Sequence, residues 1–301
     1  MDVKSRAYKA GDVEKIGEFY GRAKVNNYRT NSLKCAWDCF SKHPCFPEFR
    51  PEEFGLWEAN GEIVGVVRLQ SPWNGVVYID LYPQYKEIYS EMIEYAEEHF
   101  SAYNDSGKKH LTVCVQTVNK DLQEALLNAD YEKAETAYIS AFPLIDPIPD
   151  YTLPEGFQIR PLSEVYDFDK LNALLWKAFN YAGDPPAYDA DVKLSIMHAW
   201  LDYRRDICMA AIAPDGSFAS FCGMWLDELG NEAYLEPLAT LKEYRNLGLG
   251  KACVYSALKK CREYGAEYAY VEPDERAAGF YKHIGFTSKI RGENSWKKWV
   301  T

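Results

Sequence analysis

Residues 232–251 read Glu-Ala-Tyr-Leu-Glu-Pro-Leu-Ala-Thr-Leu-Lys-Glu-Tyr-Arg-Asn-Leu-Gly-Leu-Gly-Lys and join a short apolar segment to a helix through a glycine-bearing turn. Residues 234–240 predict a buried strand, in which Pro237 removes one ladder donor and so predicts a kink or bulge. Apolar residues at helical spacing follow the turn. Gly248 and Gly250 let the backbone approach an anion, toward which the free N–H groups of the helix start would point. The stretch predicts a phosphate-binding turn, with an ordinary tight turn as the alternative.

A second strand and helix follow this stretch. Residues 267–271 predict a strand, and Asp274 is a good N-cap for the next helix. That helix carries Ala277 and Tyr281 and ends before the Gly-Phe pair at 285–286. The predicted order is therefore strand, turn, helix, strand and helix.

These two segments resemble the motifs of the GNAT acyltransferase superfamily. The pyrophosphate loop of that family, Arg/Gln-x-x-Gly-x-Gly/Ala, is matched by Arg245, Gly248 and Gly250. Its later motif, Asn-x-x-Ala-x-x-x-Tyr-x-x-x-Gly-Phe, is matched by Ala277, Tyr281, Gly285 and Phe286, with Asp274 in place of Asn. Asp caps a helix about as well as Asn but has no amide N–H to donate. The resemblance implies an α/β fold of the α+β type, a twisted, mixed and mostly antiparallel sheet flanked by helices.

The chain has 301 residues, which is long for one domain, and its two halves repeat the same order of predicted elements. The matched positions are Tyr85 with Tyr244, Asn119 with Asp274, and 130–131 with 285–286. At the cofactor positions the first copy has Lys86 for Arg245, Tyr89 for Gly248, Glu91 for Gly250 and Leu126 for Tyr281. We therefore predict two tandem copies, the first without its cofactor loop.

Prolines punctuate the chain between the two copies, which is typical of a linker. The predicted boundaries are a degenerate GNAT-like domain at 1–142, a linker at 143–156 and a catalytic GNAT domain at 157–301.

The net charge of −11 argues against nucleic acid or an anionic membrane as partner, and suits a cationic substrate such as an amine. The chain begins Met-Asp-Val-Lys-Ser-Arg and shows no apolar run long enough to span a membrane. We therefore expect a reduced, cytoplasmic protein despite its eight cysteines. The tightest cluster of metal-ligating residue types is Cys35, Cys39, His43 and Cys45, which lacks the paired spacing of a structural zinc site, so we predict no metal.

The resemblance implies acetyl-coenzyme A as the acyl donor, held where strand 234–240 separates from strand 267–271. Pantetheine would pair with the backbone of Leu238 and Thr240 like an added strand. The residues implied to contact this cofactor are Leu238, Ala239, Thr240, Arg245, Asn246, Leu247, Gly248, Leu249, Gly250, Lys251, Asp274 and Ala277.

Acyl transfer needs a deprotonated amine, a polarised thioester carbonyl and a proton for the departing thiolate. Tyr281 stands at the general-acid position of the family, although a Tyr there could simply pack on a helix face. Glu236 is the candidate base, directly or through water, with a surface carboxylate as the alternative role. Further candidate bases are Glu232, Asp227 and Glu228.

The resemblance implies that the acceptor approaches from the opposite side of the sheet and that residues 176–205 occupy the position of its pocket. Tyr181, Asp184 and Tyr188 are the predicted substrate-binding residues, because aromatic faces and a carboxylate suit an amine. Trp176 and Trp200 are expected in the core.

The predicted function is acetyl transfer to a primary amine of a small molecule, by direct attack in a ternary complex. A non-catalytic acyl-coenzyme A sensor and a transferase for a larger acyl group are the alternatives. Monomer and homodimer are both left open.

Overall fold

The computed structural model describes residues 3–26, 28, 30–43, 46–71, 74–185, 204–227 and 231–300. Helices in these ranges are α1 (Asp12–Val25), α2 (Lys34–Lys42), α3 (Tyr89–Phe100), α4 (Lys120–Asn128), α5 (Leu162–Val165), α6 (Phe168–Ala178), α7 (Leu249–Glu263) and α8 (Glu275–His283). The strands are β1 (Lys4–Ala7), β2 (Gly55–Ala59), β3 (Glu62–Ser71), β4 (Val76–Leu81), β5 (Ala102–Tyr103), β6 (Lys109–Gln116), β7 (Glu132–Pro143), β8 (Gln158–Pro161), β9 (Met209–Ile212), β10 (Phe218–Asp227), β11 (Glu232–Thr240), β12 (Tyr268–Val271) and β13 (Ser288–Trp299). Short 3-10 turns lie at Phe46–Phe49, Pro51–Glu53, Pro83–Ile88 and Lys242–Tyr244.

The chain forms two compact units with the same topology. The first unit consists of Met1–Ile139 and Lys289–Thr301, and the second of Ser140–Ser288. In the first unit the strand order is β1-β2-β3-β4-β6-β13, with β5 beside β6, and in the second it is β7-β12-β11-β10-β9-β8. Each sheet has one parallel pair, β4 with β6 and β11 with β12, and the other neighbouring strands in these two orders are antiparallel. The predicted tandem fold with mixed, mostly antiparallel sheets is confirmed.

Local sequence signals explain several boundaries. Asn119 accepts a hydrogen bond from the Leu122 N–H at 3.2 Å and caps α4, while Asp274 accepts from the Ala277 N–H at 2.8 Å and caps α8. Asn60 and Gly61 both have positive φ, 53° and 80°, as the two-residue turn between β2 and β3 requires. The Asp274 cap agrees with the sequence prediction.

Each unit has its own core. Large aromatic side chains fill that of the first unit, where Trp37, Trp57 and Tyr20 are about 1% exposed. In the second unit, helix α7 lies against the sheet through five side chains that are 0% exposed, which are Cys253, Val254, Ala257, Leu258 and Cys261. The helical spacing that predicted this buried face is confirmed.

The two compact units have other bounds than the predicted 1–142, 143–156 and 157–301. Residues 140–143 of β7 pair with β12 and so belong to the second sheet. Residues 293–299 of β13 pair with β6 and so belong to the first. The last strand of each sheet therefore comes from the other half of the sequence.

The sequence pattern did not predict β7 or β13. Glu132–Tyr138 are all exposed, so the first part of β7 has no buried face. In β13 the inward positions include Gly292, Asn294 and Trp296, so the alternation lacks a run of apolar residues. Among the described residues, no helix has the length and hydropathy that a membrane span requires.

Candidate active site

The strands β11 and β12 separate after only a short stretch of pairing. Glu232, Ala233 and Tyr234 pair with Tyr268, Ala269 and Tyr270. On its other edge β11 stays paired with β10 as far as Thr240. Beyond Tyr234, the edge of β11 that faces β12 is therefore unpaired. We call this gap between the two strands the donor opening. It lies where the sequence predicted that the two strands separate.

The alternation of backbone groups along β11 shows which residues face the donor opening. The N–H of Leu241 donates to the carbonyl of Ala219 at 3.0 Å. At this end of β11, the backbone N–H and C=O groups of odd-numbered residues therefore point toward β10. Leu238 and Thr240 therefore turn their backbone groups toward the donor opening. This is the orientation that strand-like pairing with an extended ligand needs.

A bulge displaces the backbone in the middle of β11. The register with β10 shifts between Cys222 and Met224, and the Glu236–Pro237 peptide is cis. A Cβ atom added to Gly223 would lie 2.5 Å from the Glu236 carbonyl oxygen, so only glycine fits at this crossing. The irregularity predicted from Pro237 is present.

The glycine-bearing turn has the conformation that an anion-binding helix start requires. Asn246 and Gly248 have positive φ, 64° and 78°, and α7 begins after Gly248. Within the described part of the chain, no side chain caps this helix start. The first N–H groups of a helix have no partner inside it, so those of α7 remain available to a ligand. A Cβ added to Gly248 would meet nothing within 4 Å, so this turn also has open space beside it.

A cavity of about 540 Å³ joins this turn to the donor opening. Of the predicted cofactor residues, those that line it are Leu238, Ala239, Thr240, Arg245, Asn246, Gly248, Leu249, Gly250 and Lys251. Leu247, Asp274 and Ala277 are not among its lining residues; Leu247 is 41% exposed and Asp274 caps α8.

Part of the cavity wall was not predicted from the sequence, and it is formed by Ala178, Phe179, Tyr244, Phe280, His283 and Ile284. Phe280 and Ile284 follow Ala277 at spacings of three and seven, so helical periodicity could have identified them. Ala178 and Phe179 lie at the end of α6, and no local signal connects them to the turn.

Arg245 holds this end of α6 beside the turn. Its Nε donates to the carbonyl of Thr240 at 3.2 Å, and another guanidinium nitrogen donates to the carbonyl of Ala178 at 3.3 Å. The Thr240 carbonyl is therefore already bonded, which leaves its N–H and both backbone groups of Leu238 toward the donor opening.

Tyr281 is 7% exposed and packs edge-on against Phe286, with ring centroids 5.6 Å apart. Desolvation, followed by the charges of Cys222 and Glu236, raises the pKa of Tyr281 far above its ordinary value. The hydroxyl therefore stays protonated at physiological pH and can act only as a proton donor.

Glu236 differs from the other candidate bases in its surroundings. Its side chain keeps contact with solvent, but the protein around it desolvates the carboxylate and, together with the charge of Glu272, raises its pKa to about 7. Glu232 and Asp227 are buried, 3% and 5% exposed, and face each other across the β10–β11 pair. Glu228 lies outside the described residues. Glu236 is thus the candidate that combines access with a pKa suited to proton transfer.

The predicted acceptor residues are only partly described. Tyr181 is 59% exposed and packs on Trp176, with ring centroids 4.8 Å apart. Trp176 is half-buried and donates its indole N–H to the Gly183 carbonyl at 3.0 Å. Asp184 is exposed. Tyr188 and Trp200 lie outside the described residues.

No group of three His, Cys, Asp or Glu side chains in the described ranges is arranged to hold a metal ion. Cys35 and Cys39 are buried on α2, and Cys45 lies outside the described residues.

Comparison with known proteins agrees with this geometry. Residues 168–286 match the acetyltransferase (GNAT) family model. The chain is 25% identical over 144 residues to GCN5-related N-acetyltransferase 1, chloroplastic, of Arabidopsis thaliana, covering 46% of this chain and 64% of that protein. It is 32% identical over 101 residues to a Bacillus subtilis protein named as a candidate [ribosomal protein bS18]-alanine N-acetyltransferase, covering 30% and 66%. The chain thus spans less than two thirds of the length of these relatives.

Solved structures share the fold over the whole chain. A GCN5-related N-acetyltransferase from Sphaerobacter thermophilus has a TM-score of 0.57 at 14% identity, covering 99% of this chain and 95% of that one. A tandem GNAT protein from the clavulanic acid biosynthesis pathway has a TM-score of 0.57 at 13% identity, covering 99% and 98%. Residues 168–286, which contain the glycine turn and the separated strands, thus match the GNAT family model, and the whole chain shares the fold of a tandem GNAT protein.

Proposed function

We propose that the second unit transfers an acetyl group from acetyl-coenzyme A to a primary amine of a small molecule, by direct attack in a ternary complex. The observation that carries this proposal is the donor opening, which continues through the cavity to the uncapped start of α7. Tyr281 and Glu236, whose charge is one cause of the raised Tyr281 pKa, supply the proton donor and acceptor that the chemistry needs.

The residues present fit the proposed donor. The backbone of Leu238 and the N–H of Thr240 suit the amides of pantetheine, because both face the donor opening. The N–H groups at the start of α7 suit the pyrophosphate, and Lys251, which also lines the cavity, adds a positive charge. Arg245 would hold the turn in place through Thr240 and Ala178.

The proposed proton transfers follow from the two pKa values. Glu236, with a pKa of about 7, accepts the proton of the bound ammonium group, so that the nitrogen can form its bond to the thioester carbon. As the carbon–sulfur bond breaks, Tyr281 gives its phenolic proton to the departing thiolate, and the second proton lost by the acylated nitrogen restores the Tyr281 hydroxyl. A Tyr with a pKa raised this far is a weak acid in water but matches a leaving thiolate whose charge develops in a desolvated site.

Charge supports an amine as the acceptor. The chain carries a net charge of −11, and Glu236 and Glu272 are exposed carboxylates close enough for the charge of Glu272 to raise the pKa of Glu236. Such a field attracts a cation and repels an anion. Tyr181 and Asp184 remain our proposed acceptor contacts. We propose no nucleic acid or membrane partner.

A reducing compartment, and specifically the cytoplasm, is our proposal for its location. The seven described cysteines are all buried thiols, which suits a reducing environment.

The test is release of free coenzyme A from acetyl-coenzyme A in the presence of a broad panel of amines, with Gly248→Glu as the matched inactive protein. We expect amine-dependent release by the wild type only. Stoichiometric binding of acetyl-coenzyme A without release by any amine would instead support a sensor. Parallel assays with propionyl- and succinyl-coenzyme A would reveal a preference for a larger acyl group.

A further inference from the structure

The first unit has its own counterpart of the donor opening. β4 pairs with β6 over Val76, Val77 and Tyr78 only. β4 then continues to Leu81 with β3 on its other edge, and β6 continues to Gln116. The N–H of Tyr82 donates to the Val64 carbonyl at 2.9 Å. The backbone groups of even-numbered residues of β4 therefore point toward β3, and those of Ile79 point into the gap. The two strands therefore separate as β11 and β12 do.

In the first unit this gap is filled by the side chain of Asn31. Its Nδ2 donates to the Ile79 carbonyl on β4 at 3.4 Å, and its Oδ1 accepts from the Gln116 N–H on β6 at 3.1 Å. One carboxamide thus bonds to both separated strands. Asn31 is 6% exposed. A buried amide that completes two strand edges does what an inserted peptide-like ligand would do.

Charged and polar groups anchor the segment that carries Asn31. Asp80 on β4 accepts from the Asn31 backbone N–H at 2.6 Å and from its Nδ2 at 3.0 Å. The Gln116 side chain donates to the Thr30 carbonyl, and Arg68 on β3 donates to the Ser32 hydroxyl. Burial raises the pKa of Asp80, and the Asn31 N–H and Arg68 oppose that rise. Arg291 on β13 donates to the Thr30 and Asn31 carbonyls at 2.6 and 3.4 Å. Residues Thr30–Ser32 are therefore tied to four strands at once.

The other end of the gap is closed as well. Tyr89, at the position of Gly248, is 3% exposed, and its hydroxyl accepts from the Asn119 side chain at 3.2 Å. Asn119 caps α4 as Asp274 caps α8. The Tyr89 side chain therefore connects the starts of α3 and α4, whereas a Cβ added to Gly248 in the second unit would meet nothing within 4 Å. Glu91, which the sequence comparison pairs with Gly250, accepts from the Trp57 indole N–H at 2.8 Å.

We propose that Thr30–Ser32 is a built-in ligand of the first unit, with the Asn31 carboxamide in the place of a pantetheine amide and the Tyr89 ring in the place of the pyrophosphate. The first unit is then closed to acyl-coenzyme A by its own side chains, and the loss of its glycine turn is only part of the cause. The comparison with a bound cofactor rests on the proposed function, which has acetyl-coenzyme A bound in the donor opening of the second unit. The bridging role of Asn31 stands without it.

Amide hydrogen exchange in the full-length, ligand-free protein tests the bridge. In Asn31→Ala we expect the Gln116 amide to exchange about tenfold faster, the effect of one lost hydrogen bond. The Thr112 amide, which donates to the Gly75 carbonyl, serves as the internal reference and should change less than twofold. Asn128→Ala, at an exposed Asn of the same unit, is the matched control. Unchanged protection of Gln116 in Asn31→Ala would overturn the bridge.

A measurement on the wild type covers the case in which Asn31→Ala does not fold. The side-chain amide protons of Asn31 should exchange far more slowly than those of Asn128. The Asn31 side-chain nitrogen donates two hydrogen bonds in a buried site, whereas Asn128 is exposed. Equal exchange rates would refute the proposal.

The closure itself is tested by restoring the glycines. Tyr89→Gly with Glu91→Gly, checked for folding by circular dichroism, should still bind one acetyl-coenzyme A per chain, because Asn31 still fills the gap. Two equivalents would show that the built-in ligand does not exclude the cofactor. Failure of the proposed function has a different signature, since the wild type would then bind none.

Discussion

The indole N–H of Trp225 on β10 donates to the backbone carbonyl of Glu236 on β11 at 3.0 Å. This bond crosses the bulge at which the register of the two strands shifts. Gly223 lies in the same bulge, against the same carbonyl. The position of the candidate base is therefore set by the opposite strand.

Gly223→Ala should displace Glu236, because the new Cβ would lie 2.5 Å from the Glu236 carbonyl oxygen. We expect a loss of about 1–3 kcal/mol in the free energy of unfolding, the usual cost of overpacking, and a fall in kcat. Gly279→Ala on α8 is the control, since its Cβ would meet nothing within 4 Å and φ is ordinary. Denaturant unfolding and steady-state kinetics measure both. Wild-type kinetics in Gly223→Ala would disconnect the bulge from catalysis.

Gly248→Glu should abolish binding of acetyl-coenzyme A, because a carboxylate would stand where the pyrophosphate is expected and the positive φ would be strained. We expect the affinity to fall at least about a hundredfold. Gly265→Glu carries the same charge at another positive-φ glycine, past the far end of α7, and should bind normally. Calorimetry compares the two, and equal affinities would remove the turn from the mechanism.

Tyr281→Phe should lower kcat about ten- to a thousandfold, within or somewhat below the usual range for general acid catalysis, and leave the donor KM almost unchanged. The ring remains in place, so packing against Phe286 is kept. Tyr255→Phe, another buried Tyr of the second unit, should keep normal turnover. If Tyr281→Phe retains turnover, the thiolate receives its proton from another source.

The pH profile should report Glu236. A base must be deprotonated, so kcat/KM should rise with pH through about 7 and level off above it. Glu236→Gln should remove this limb. Glu272→Gln should move it to lower pH, because the charge of Glu272 helps to raise the pKa of Glu236. A profile that is the same in all three proteins would exclude Glu236 as the base.

One chain should bind one acetyl-coenzyme A, in the second unit. Gly248 has open space beside it, whereas its counterpart Tyr89 is buried and bonded to Asn119. Isothermal titration should give a stoichiometry near one. A value near two would mean that the first unit also binds the cofactor.

Sequence alone predicted the catalytic elements well because their signals are local. The glycine turn, the Asp274 cap and the buried face of α7 each depend on a few neighbouring residues. The fold of the second unit was accessible for this reason. The donor opening, in contrast, was expected from the resemblance to the GNAT family and not from a local signal.

What sequence did not predict depends on contacts between distant residues. Asn31 lies between two motifs and has no pattern of its own, and only Ile79 and Gln116 reveal its role. Arg245 was predicted to serve the cofactor, but its bond to the Ala178 carbonyl requires knowing where α6 ends. The last strands of both sheets also lacked an apolar alternation.

The strand β13 belongs to the first unit although it is the last to be synthesised. This determines the order in which the two units can be completed during synthesis. Every residue of the second unit has been made once Ser288 leaves the ribosome, whereas the first unit still lacks the strand that carries Trp296. Domains generally fold from the N-terminus as they are made, but here the unit that begins first is finished last. A fragment that stops at residue 142 would lack β13 and would therefore expose the unpaired edge of β6. A fragment for expression of the second unit alone should span residues 140–288, and a fragment for the first unit should keep the residues on both sides of that range.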